Sequence, residues 1–498
     1  MFIVVLSWVL VLATAVWLRV DSLDARPIHF DEATGARITA DRLEPTSDYA
    51  FNPVHNHGPT LSLVGSLASR MAGQDSWQSM TKLPLRAVTV IAGVLLVMVP
   101  LCWRRRFGDV PMLLAAALLS TSPLLVYYSR MYIHEVLLSL FGLLVVVTLC
   151  RKRTLWAAGV FLGFMFATKE SFAISVIAWG MAGVAVAWQF RETILTRPWR
   201  EHIAEWWRSV LAMLICAAAI SVMFYTDGLT RPSGIWDAVK TFFIYKTEGG
   251  HDKPFGYYLS MMLVPRKVAV WWGETTVAVL ALLAFIRSFS ESMPRDKAAA
   301  IQFLTYAAAA HFAIYSVIAY KTPWLMCLPW AHVCLLAGFS LVSTRSWKSW
   351  QIVLTTIAIV ITLGLQFRQT RWATGRFEID QRNAYAYVPT SRDIESMERW
   401  LNQLTAGNSE RIEPIAVVGS YYWPLPWYLR DFKAVGYWQD ASDPSLSQCG
   451  VVLVMPEQLD AASAKLANTH TGFPRSLRTN VVVTLYLRND LWKQWIEE

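Results

Sequence analysis

Eleven apolar runs divide this 498-residue chain, and they restrict its possible folds more than any other feature. The first, Met1 to Val20, is long enough to cross the hydrocarbon core of a bilayer. A cleaved signal peptide is the alternative, but no basic segment precedes this run and no clear small-residue cleavage site follows it. The pattern predicts an all-α polytopic membrane protein of about eleven transmembrane helices. The runs lie at about 1–20, 83–103, 110–126, 133–150, 155–168, 171–188, 209–225, 268–286, 299–319, 323–342 and 350–366.

Basic loops between these runs give the orientation. Each strongly basic loop follows an even-numbered run, and short loops rich in Lys and Arg stay on the cytoplasmic side. We therefore expect a multi-pass protein of the cytoplasmic membrane with a cytoplasmic N-terminus. The net charge of +9 is explained by these loops, so no nucleic-acid partner is predicted. The loops are Arg104–Arg106, Arg151–Arg153, 189–208, Arg287–Lys297 and Arg345–Lys348.

The chain changes character after residue 366. Ser391 to Leu404 has the apolar spacing of an amphipathic helix, and three short apolar stretches are typical of buried strands. We predict two domains, a transmembrane domain at 1–366 and an extracytoplasmic α/β domain at 367–498. The predicted strands are Ile415–Val418, Val451–Met455 and Val481–Leu487.

Acidic residues at the outer ends of the runs are the candidate catalytic groups. Asp31 and Glu32 follow the first run, and Glu135 begins the fourth run on the same face. Carboxylates also favour the first turn of a helix, which is a purely structural alternative. A paired acidic site supplies a general base together with a cation site or an orienting group. We take Asp31, Glu32 and Glu135 as candidate catalytic residues.

Cations at the same face are candidate ligands of a phosphate. Lys169 interrupts an apolar stretch from Trp156 to Val186, and a charge at membrane depth costs about 2.5–3.5 kcal/mol. Lys321 and Arg130 also lie at predicted outer ends of runs. Such cations suit a phosphate or pyrophosphate. We therefore expect Lys169 and Lys321 to share one solvated cavity, with Arg130 nearby.

Histidines around the acidic pair permit a metal site. Asp31, Glu135 and His29 together offer ligands for a divalent cation. The spacing matches no fixed zinc pattern, and each histidine is equally compatible with a structural hydrogen bond. The six cysteines are scattered without a CxxC pair, so neither a thiolate metal site nor a disulfide framework is indicated.

Three further polar residues are candidate substrate contacts. His55 and His57 lie in the first outer loop, and Tyr257 lies in the polar and aromatic segment 251–258. Such a segment is typical of a surface that faces a sugar, and it is equally typical of an interfacial aromatic belt.

Four motifs in order resemble those of a known superfamily. They are Asp31-Glu32-Ala33, a Tyr-Ser-Arg stretch that ends at Glu135, Thr168-Lys169-Glu170 and Lys321-Thr322-Pro323-Trp324. The chain resembles the GT-C membrane glycosyltransferases, which include protein O-mannosyltransferases and aminoarabinose transferases. More narrowly, it is similar to a prokaryotic family of flippase-activity-associated proteins of the N-glycosylation pathway. That family shares Asp-Glu-Ala-Thr, the His57-Gly58-Pro59 motif and a segment like Trp423 to Arg430.

This resemblance implies an activity and assigns roles. Such enzymes transfer a sugar from a polyprenyl-phosphate donor in the outer leaflet to a glycan, lipid or protein acceptor. Asp31 would be the base and Glu135 the second acidic residue, with Lys169 and Lys321 near the lipid phosphate. A non-catalytic partner or carrier of lipid-linked sugars is the alternative. A small-solute transporter fits less well, because transporters place their charges near the bilayer midplane.

Overall fold

The apolar runs form a bundle of helices, and a five-stranded sheet follows near the C-terminus. The computed structural model describes residues 2–44, 49–149, 152–194, 196, 198–244, 251–264, 272–342, 347–405 and 412–497. The helices are α1 Phe2–Val20, α2 Phe30–Leu43, α3 Thr60–Met71, α4 Lys82–Met98, α5 Arg104–Phe107, α6 Asp109–Thr121, α7 Pro123–Ser129, α8 Glu135–Leu149, α9 Leu155–Thr168, α10 Phe172–Gln189, α11 Arg191–Ile194, α12 Trp199–Tyr225, α13 Gly234–Ile244, α14 Tyr257–Met262, α15 Thr275–Arg287, α16 Arg295–Val317, α17 Cys327–Gly338, α18 Ser349–Ala373, α19 Asp393–Thr405, α20 Leu425–Tyr428, α21 Leu459–Leu466 and α22 Asn489–Glu497.

The polytopic helical fold predicted from the sequence is confirmed, although the number of full-length spans differs. In the described part of the chain, 7 helices are long and apolar enough to cross a membrane. The bent pair α6–α7 would make an eighth, and α8 and α15 are shorter apolar helices. The 59° bend falls at Ser122, whose extended ψ of 119° is what the following Pro123 favours. Turns of this kind divide the predicted runs into shorter helices.

The C-terminal part contains the predicted strands and two more. The sheet has the order β2-β1-β3-β5-β4, with β1, β2 and β3 parallel and β5 antiparallel to β3 and β4. The two edge strands, β2 and β4, were not predicted, because β2 is short with Gly436 in it and β4 contains Gly472 and Pro474. Glycine and proline weaken a strand pattern and are tolerated at sheet edges. The strands are β1 Ile415–Val418, β2 Val435–Trp438, β3 Val451–Val454, β4 His470–Arg478 and β5 Val481–Arg488.

The C-terminal part packs against one end of the helical bundle. The hydroxyl of Tyr128 donates to the carbonyl of Tyr385 at 2.6 Å, and the hydroxyl of Thr390 donates to the carbonyl of Ile28 at 2.7 Å. One apolar core runs through both parts of the chain. The domain boundary predicted after residue 366 falls inside α18, which continues to Ala373.

Helices α9 and α12 approach each other at two glycines. A Cβ on Gly159 would lie 2.0 Å from the carbonyl oxygen of Met213, and one on Gly163 would lie 2.7 Å from that of Ala217. Small residues four positions apart allow membrane helices to pack backbone against backbone. Because α9 ends at Thr168, this packing fixes the position of Lys169 at the following turn.

We expect Gly159→Val to destabilise the bundle, because the new side chain would force α9 away from α12. Overpacking of this kind costs about 1–3 kcal/mol. The measurement is the thermal unfolding midpoint of the detergent-purified protein. Gly180→Val is the matched control, since a Cβ at Gly180 in α10 meets nothing within 4 Å. Equal midpoints for the two variants would contradict the close packing of α9 and α12.

Candidate active site

The first turn of α2 is held by a capping box. His29 is the N-cap residue, and its Nδ1 accepts a hydrogen bond from the backbone N–H of Asp31 at 3.2 Å. In return, the backbone N–H of His29 donates to Glu32 Oε2 at 3.0 Å. This reciprocal pair satisfies donors that would otherwise be unpaired at a helix start. It also fixes the acidic pair on a rigid element.

Glu32 is buried and surrounded by donors. Its two oxygens accept hydrogen bonds from Arg86 at 2.8 and 2.9 Å, and the backbone N–H of Tyr132 donates to Oε1 at 3.0 Å. Burial raises the pKa of Glu32, but Arg86 outweighs that effect and lowers the pKa to about 2. Glu32 is 1% exposed and joins α2 to α4 and to the segment before α8. This environment indicates a positioning role in place of the catalytic role expected from the sequence.

Asp31, by contrast, is partly exposed to solvent. Its side chain is 36% exposed, and its carboxylate lies 3.6 Å from His29 Nδ1. Burial and the charge of Asp31 both raise the pKa of Tyr387. The hydroxyl of Tyr387 in turn lies 2.6 Å from Nδ1 of His251.

Two cations lie near this face of α2. The ammonium of Lys253 is 5.9 Å from the centre of the Tyr387 ring, and the guanidinium of Arg478 is 5.1 Å from that of Phe30. Asp31, His251, Lys253, Tyr387 and Arg478 are all partly exposed, and we call them the Asp31 cluster. Apart from Asp31, the sequence did not indicate these residues individually. Segment 251–258 was recognised as polar, but nothing pointed to Tyr387 or Arg478.

Lys321 holds one segment of the Asp31 cluster in place. Its Nζ donates to the carbonyl of Lys253 at 3.1 Å and to that of Ile318, and its backbone N–H donates to the carbonyl of His251 at 3.0 Å. The residue is 1% exposed. Lys321 therefore holds segment 251–253 in place, and it is not the solvated cation that the sequence suggested.

Glu135 and Lys169 form a second cluster. Lys169 Nζ lies 2.6 Å from Glu135 Oε1, and both residues are buried. Nearby, Nδ1 of His57 lies 3.0 Å from Glu170 Oε2. Burial raises the pKa of Glu170, but the charges of His57 and Lys169 lower it to about 2. Lys169 is buried, so the expectation that it is solvated is wrong.

The loop that carries His57 reaches Lys169 through a close backbone contact. A Cβ on Gly58 would lie 2.2 Å from the carbonyl oxygen of Ala167, so only glycine fits there. This contact explains why His57 and Glu170 meet although they are far apart in the sequence.

Arg130, His55 and Tyr257 are the other residues that the sequence predicted to contact the substrate. Arg130 is 4% exposed, and its guanidinium donates to carbonyl oxygens at the C-terminal end of α1, including that of Asp21 at 2.7 Å. A cation is favoured at that end of a helix, so Arg130 stabilises α1 and does not lie open at the rim. His55 is exposed, and Tyr257 begins α14 with its ring 5.1 Å from that of Tyr258.

The predicted metal trio of Asp31, Glu135 and His29 does not form. Both ring nitrogens of His29 have partners, because Nε2 lies 3.0 Å from the carbonyl of Tyr387 and Nδ1 accepts from Asp31. Burial lowers the pKa of His29 to about 4, so the ring is neutral near pH 7. Glu135 is paired with Lys169. Within the described ranges, no three His, Cys, Asp or Glu side chains are grouped as a metal ion requires.

We expect Arg86→Met to lower the free energy of unfolding by about 3–5 kcal/mol, because it leaves the buried Glu32 charge without its partner. The check is thermal or denaturant unfolding in detergent. The double variant Glu32→Gln with Arg86→Met should recover part of the loss, since no unpaired charge remains. Arg371→Met is the control, because its side chain and that of its partner Asp21 are 41% and 36% exposed and pairs in contact with solvent contribute about 0–1 kcal/mol. An Arg86→Met protein as stable as this control would contradict the anchoring role.

Comparison with known proteins identifies the fold. No protein-family model matches the sequence, and no curated protein matches it significantly. Among solved structures, ArnT from Cupriavidus metallidurans in the apo state superposes with a TM-score of 0.63 at 16% identity, over 96% of this chain and 97% of that one. The same protein bound to undecaprenyl phosphate gives 0.61 at 15% identity, over 96% and 97%.

A second similar structure comes from an archaeon. The oligosaccharyltransferase AglB from Archaeoglobus fulgidus, in complex with an inhibitory peptide and a dolichol-phosphate, superposes with a TM-score of 0.54 at 13% identity, over 98% of this chain and 76% of that one. At these identities the likeness concerns the fold. The chain shares the fold of these two proteins, as the resemblance of its ordered motifs predicts.

Proposed function

We propose that this protein is a glycosyltransferase that transfers a sugar from a polyprenyl-phosphate donor to an acceptor at the outer face of the membrane. The observation that carries the proposal is the partly exposed Asp31 on the fixed first turn of α2, with Lys253 and Arg478 nearby. Two proteins of the same fold were solved with undecaprenyl phosphate and with a dolichol-phosphate, which supports a lipid phosphate as the donor's carrier.

The chemistry requires a base and stabilisation of the leaving group. Asp31 accepts the proton of the acceptor hydroxyl as that oxygen bonds to the anomeric carbon of the donor sugar. The bond from this carbon to the phosphate oxygen breaks, its electron pair leaves with the polyprenyl phosphate, and attack from the opposite side inverts the anomeric configuration. Lys253 and Arg478 stabilise the phosphate charge that develops. His29 keeps Asp31 in place.

Glu135 and Lys169 are proposed as the second part of the site. The backbone N–H of Tyr132, three residues before Glu135, bonds to Glu32, the neighbour of Asp31. This tie supports the expectation that Asp31 and Glu135 face one cavity. Lys169 Nζ lies 2.6 Å from Glu135 Oε1. As a phosphate ligand, Lys169 would exchange this contact for the donor phosphate.

The carrier alternative shares the donor site but needs no base. A protein that only moves or presents a lipid-linked sugar requires the cations of the Asp31 cluster to hold the phosphate. It does not require a carboxylate that accepts a proton. Asp31 therefore distinguishes the two functions.

We expect Asp31→Asn to reduce sugar transfer by about 10²–10⁴-fold, because a general base contributes that much to the rate. The measurement is turnover with a polyprenyl-phosphate-sugar donor in reconstituted vesicles. Fold and donor binding should remain, since the change preserves volume. Asp24→Asn is the matched control, because Asp24 lies in the segment between α1 and α2 with a side chain 68% exposed. Full transfer by Asp31→Asn, with donor binding intact, would favour the carrier function.

The membrane orientation is proposed from the basic loops. We expect a cysteine at position 440, in the C-terminal part, to react with an impermeant maleimide on intact cells, and a cysteine at 105 to react only after permeabilisation. Both native side chains, Asp440 and Arg105, are exposed. The background carries Cys102→Ser, because Cys102 is itself exposed beside position 105. Reaction at 105 in intact cells would contradict the orientation.

A further inference from the structure

An open cavity of about 620 Å³ lies away from the Asp31 cluster, toward the other end of α2. It is bounded by α2, by α3 and by the turn that follows α12. Almost all of its residues are polar or charged. They are Asp41, Arg42, Tyr49, Leu63, Ser66, Arg70, Asp227, Thr230 and Arg231.

Arg42 is fixed in the wall of this cavity. Its Nε donates to Ser62 Oγ at 2.9 Å, and its Nη1 lies 2.7 Å from Asp227 Oδ1. The guanidinium carbon lies 3.7 Å from the centre of the Tyr49 ring. The side chain is only 6% exposed. A guanidinium restrained in this way is preorganised for a ligand and loses little entropy on binding.

The cavity has more positive than negative charge. Asp227 is paired with Arg42, and Asp41 is paired with Arg37 at 3.1 Å. Arg70 donates to the backbone carbonyl of Arg42 at 3.2 Å, and Arg231 lines the cavity from the turn that follows α12. Three arginines, Arg42, Arg70 and Arg231, and two aspartates, Asp41 and Asp227, are among the described residues that line the cavity. Such an excess favours an anionic ligand.

The other lining groups suit a saccharide. Ser66 and Thr230 offer hydroxyls, the aspartates accept hydrogen bonds from sugar hydroxyls, and Tyr49 offers an aromatic surface. Only Leu63 among the lining residues is aliphatic. This composition disfavours a lipid tail and favours a hydrophilic ring that carries a negative charge.

The position of the cavity relates it to Asp31. Asp31 and Arg42 lie on the same helix, eleven positions apart, which corresponds to about 16 Å along its axis. A ligand that reached from one to the other would be longer than a single sugar ring. The cavity is therefore separate from the place where the donor sugar would react.

We propose that this cavity binds the anionic part, phosphate or carboxylate, of a saccharide acceptor whose reactive hydroxyl lies at Asp31. The inference rests on the proposed function and adds to it the class of acceptor. The negative charge belongs to the saccharide in this proposal, and the phosphate of a lipid headgroup is the alternative that the test distinguishes. The two sources differ in whether the sugar ring itself is recognised.

The test measures binding without any transfer step. Purified protein in nanodiscs is titrated with glucose 1-phosphate, and binding is followed by saturation-transfer NMR of the sugar protons. Glucose, inorganic phosphate and a short-chain phosphatidic acid serve as comparison ligands. We expect glucose 1-phosphate to bind more tightly than all three. Arg70→Gln and Arg231→Gln should each weaken it about tenfold or more, the effect of removing a charged hydrogen-bond donor.

Controls separate this inference from the proposed function. Arg399→Gln removes an exposed arginine from α19 and should bind normally. Equal affinity for inorganic phosphate, preference for phosphatidic acid, or unchanged binding in both arginine variants would overturn the acceptor cavity. Loss of transfer in Asp31→Asn bears only on the catalytic proposal. If the protein binds the sugar phosphate through Arg70 and Arg231 but has no transferase activity, only the proposed function is rejected.

Discussion

The buried ion pair between Glu32 and Arg86 is the contact on which the site depends. Its two charge-assisted hydrogen bonds, at 2.8 and 2.9 Å, join the first turn of α2 to α4. The same carboxylate accepts from Tyr132, so the segment leading to Glu135 is held as well. Asp31 is the neighbour of Glu32 and gains its fixed direction from this pair. Of these two adjacent acidic residues, Glu32 is buried and anchors the helix, and Asp31 is partly exposed and can react.

The same principle explains the three cations that the sequence singled out. A charge buried in a membrane protein needs a partner, because leaving it unpaired costs several kcal/mol. Arg130, Lys169 and Lys321 find their acceptors within the protein, at the end of α1, at Glu135 and at the carbonyls of Lys253 and Ile318. Each of the three cations is therefore held by acceptors of the protein itself in this structure. Lys253 and Arg478 are partly exposed, and a cation in contact with water costs little, so the sequence does not single them out.

The sequence predicted features that depend on local patterns. Apolar runs located the helices of the bundle, alternation of apolar stretches with turn residues located β1, β3 and β5, and helical periodicity located α2. It did not predict β2 and β4, whose glycines and proline obscure the pattern. Nor did it predict the pairing of His57 with Glu170, which depends on the fit of Gly58 against α9. Contacts over long sequence separations arise from packing, which no single segment encodes.

The most direct test of this account is a structure of the protein in nanodiscs with a polyprenyl phosphate bound. The account predicts phosphate density in the Asp31 cluster, in contact with Lys253 or Arg478 and with an approach to Asp31 left open for an acceptor. Density for the phosphate at any other place, with the Asp31 cluster unchanged and empty, would contradict the central claim that this cluster is the donor site.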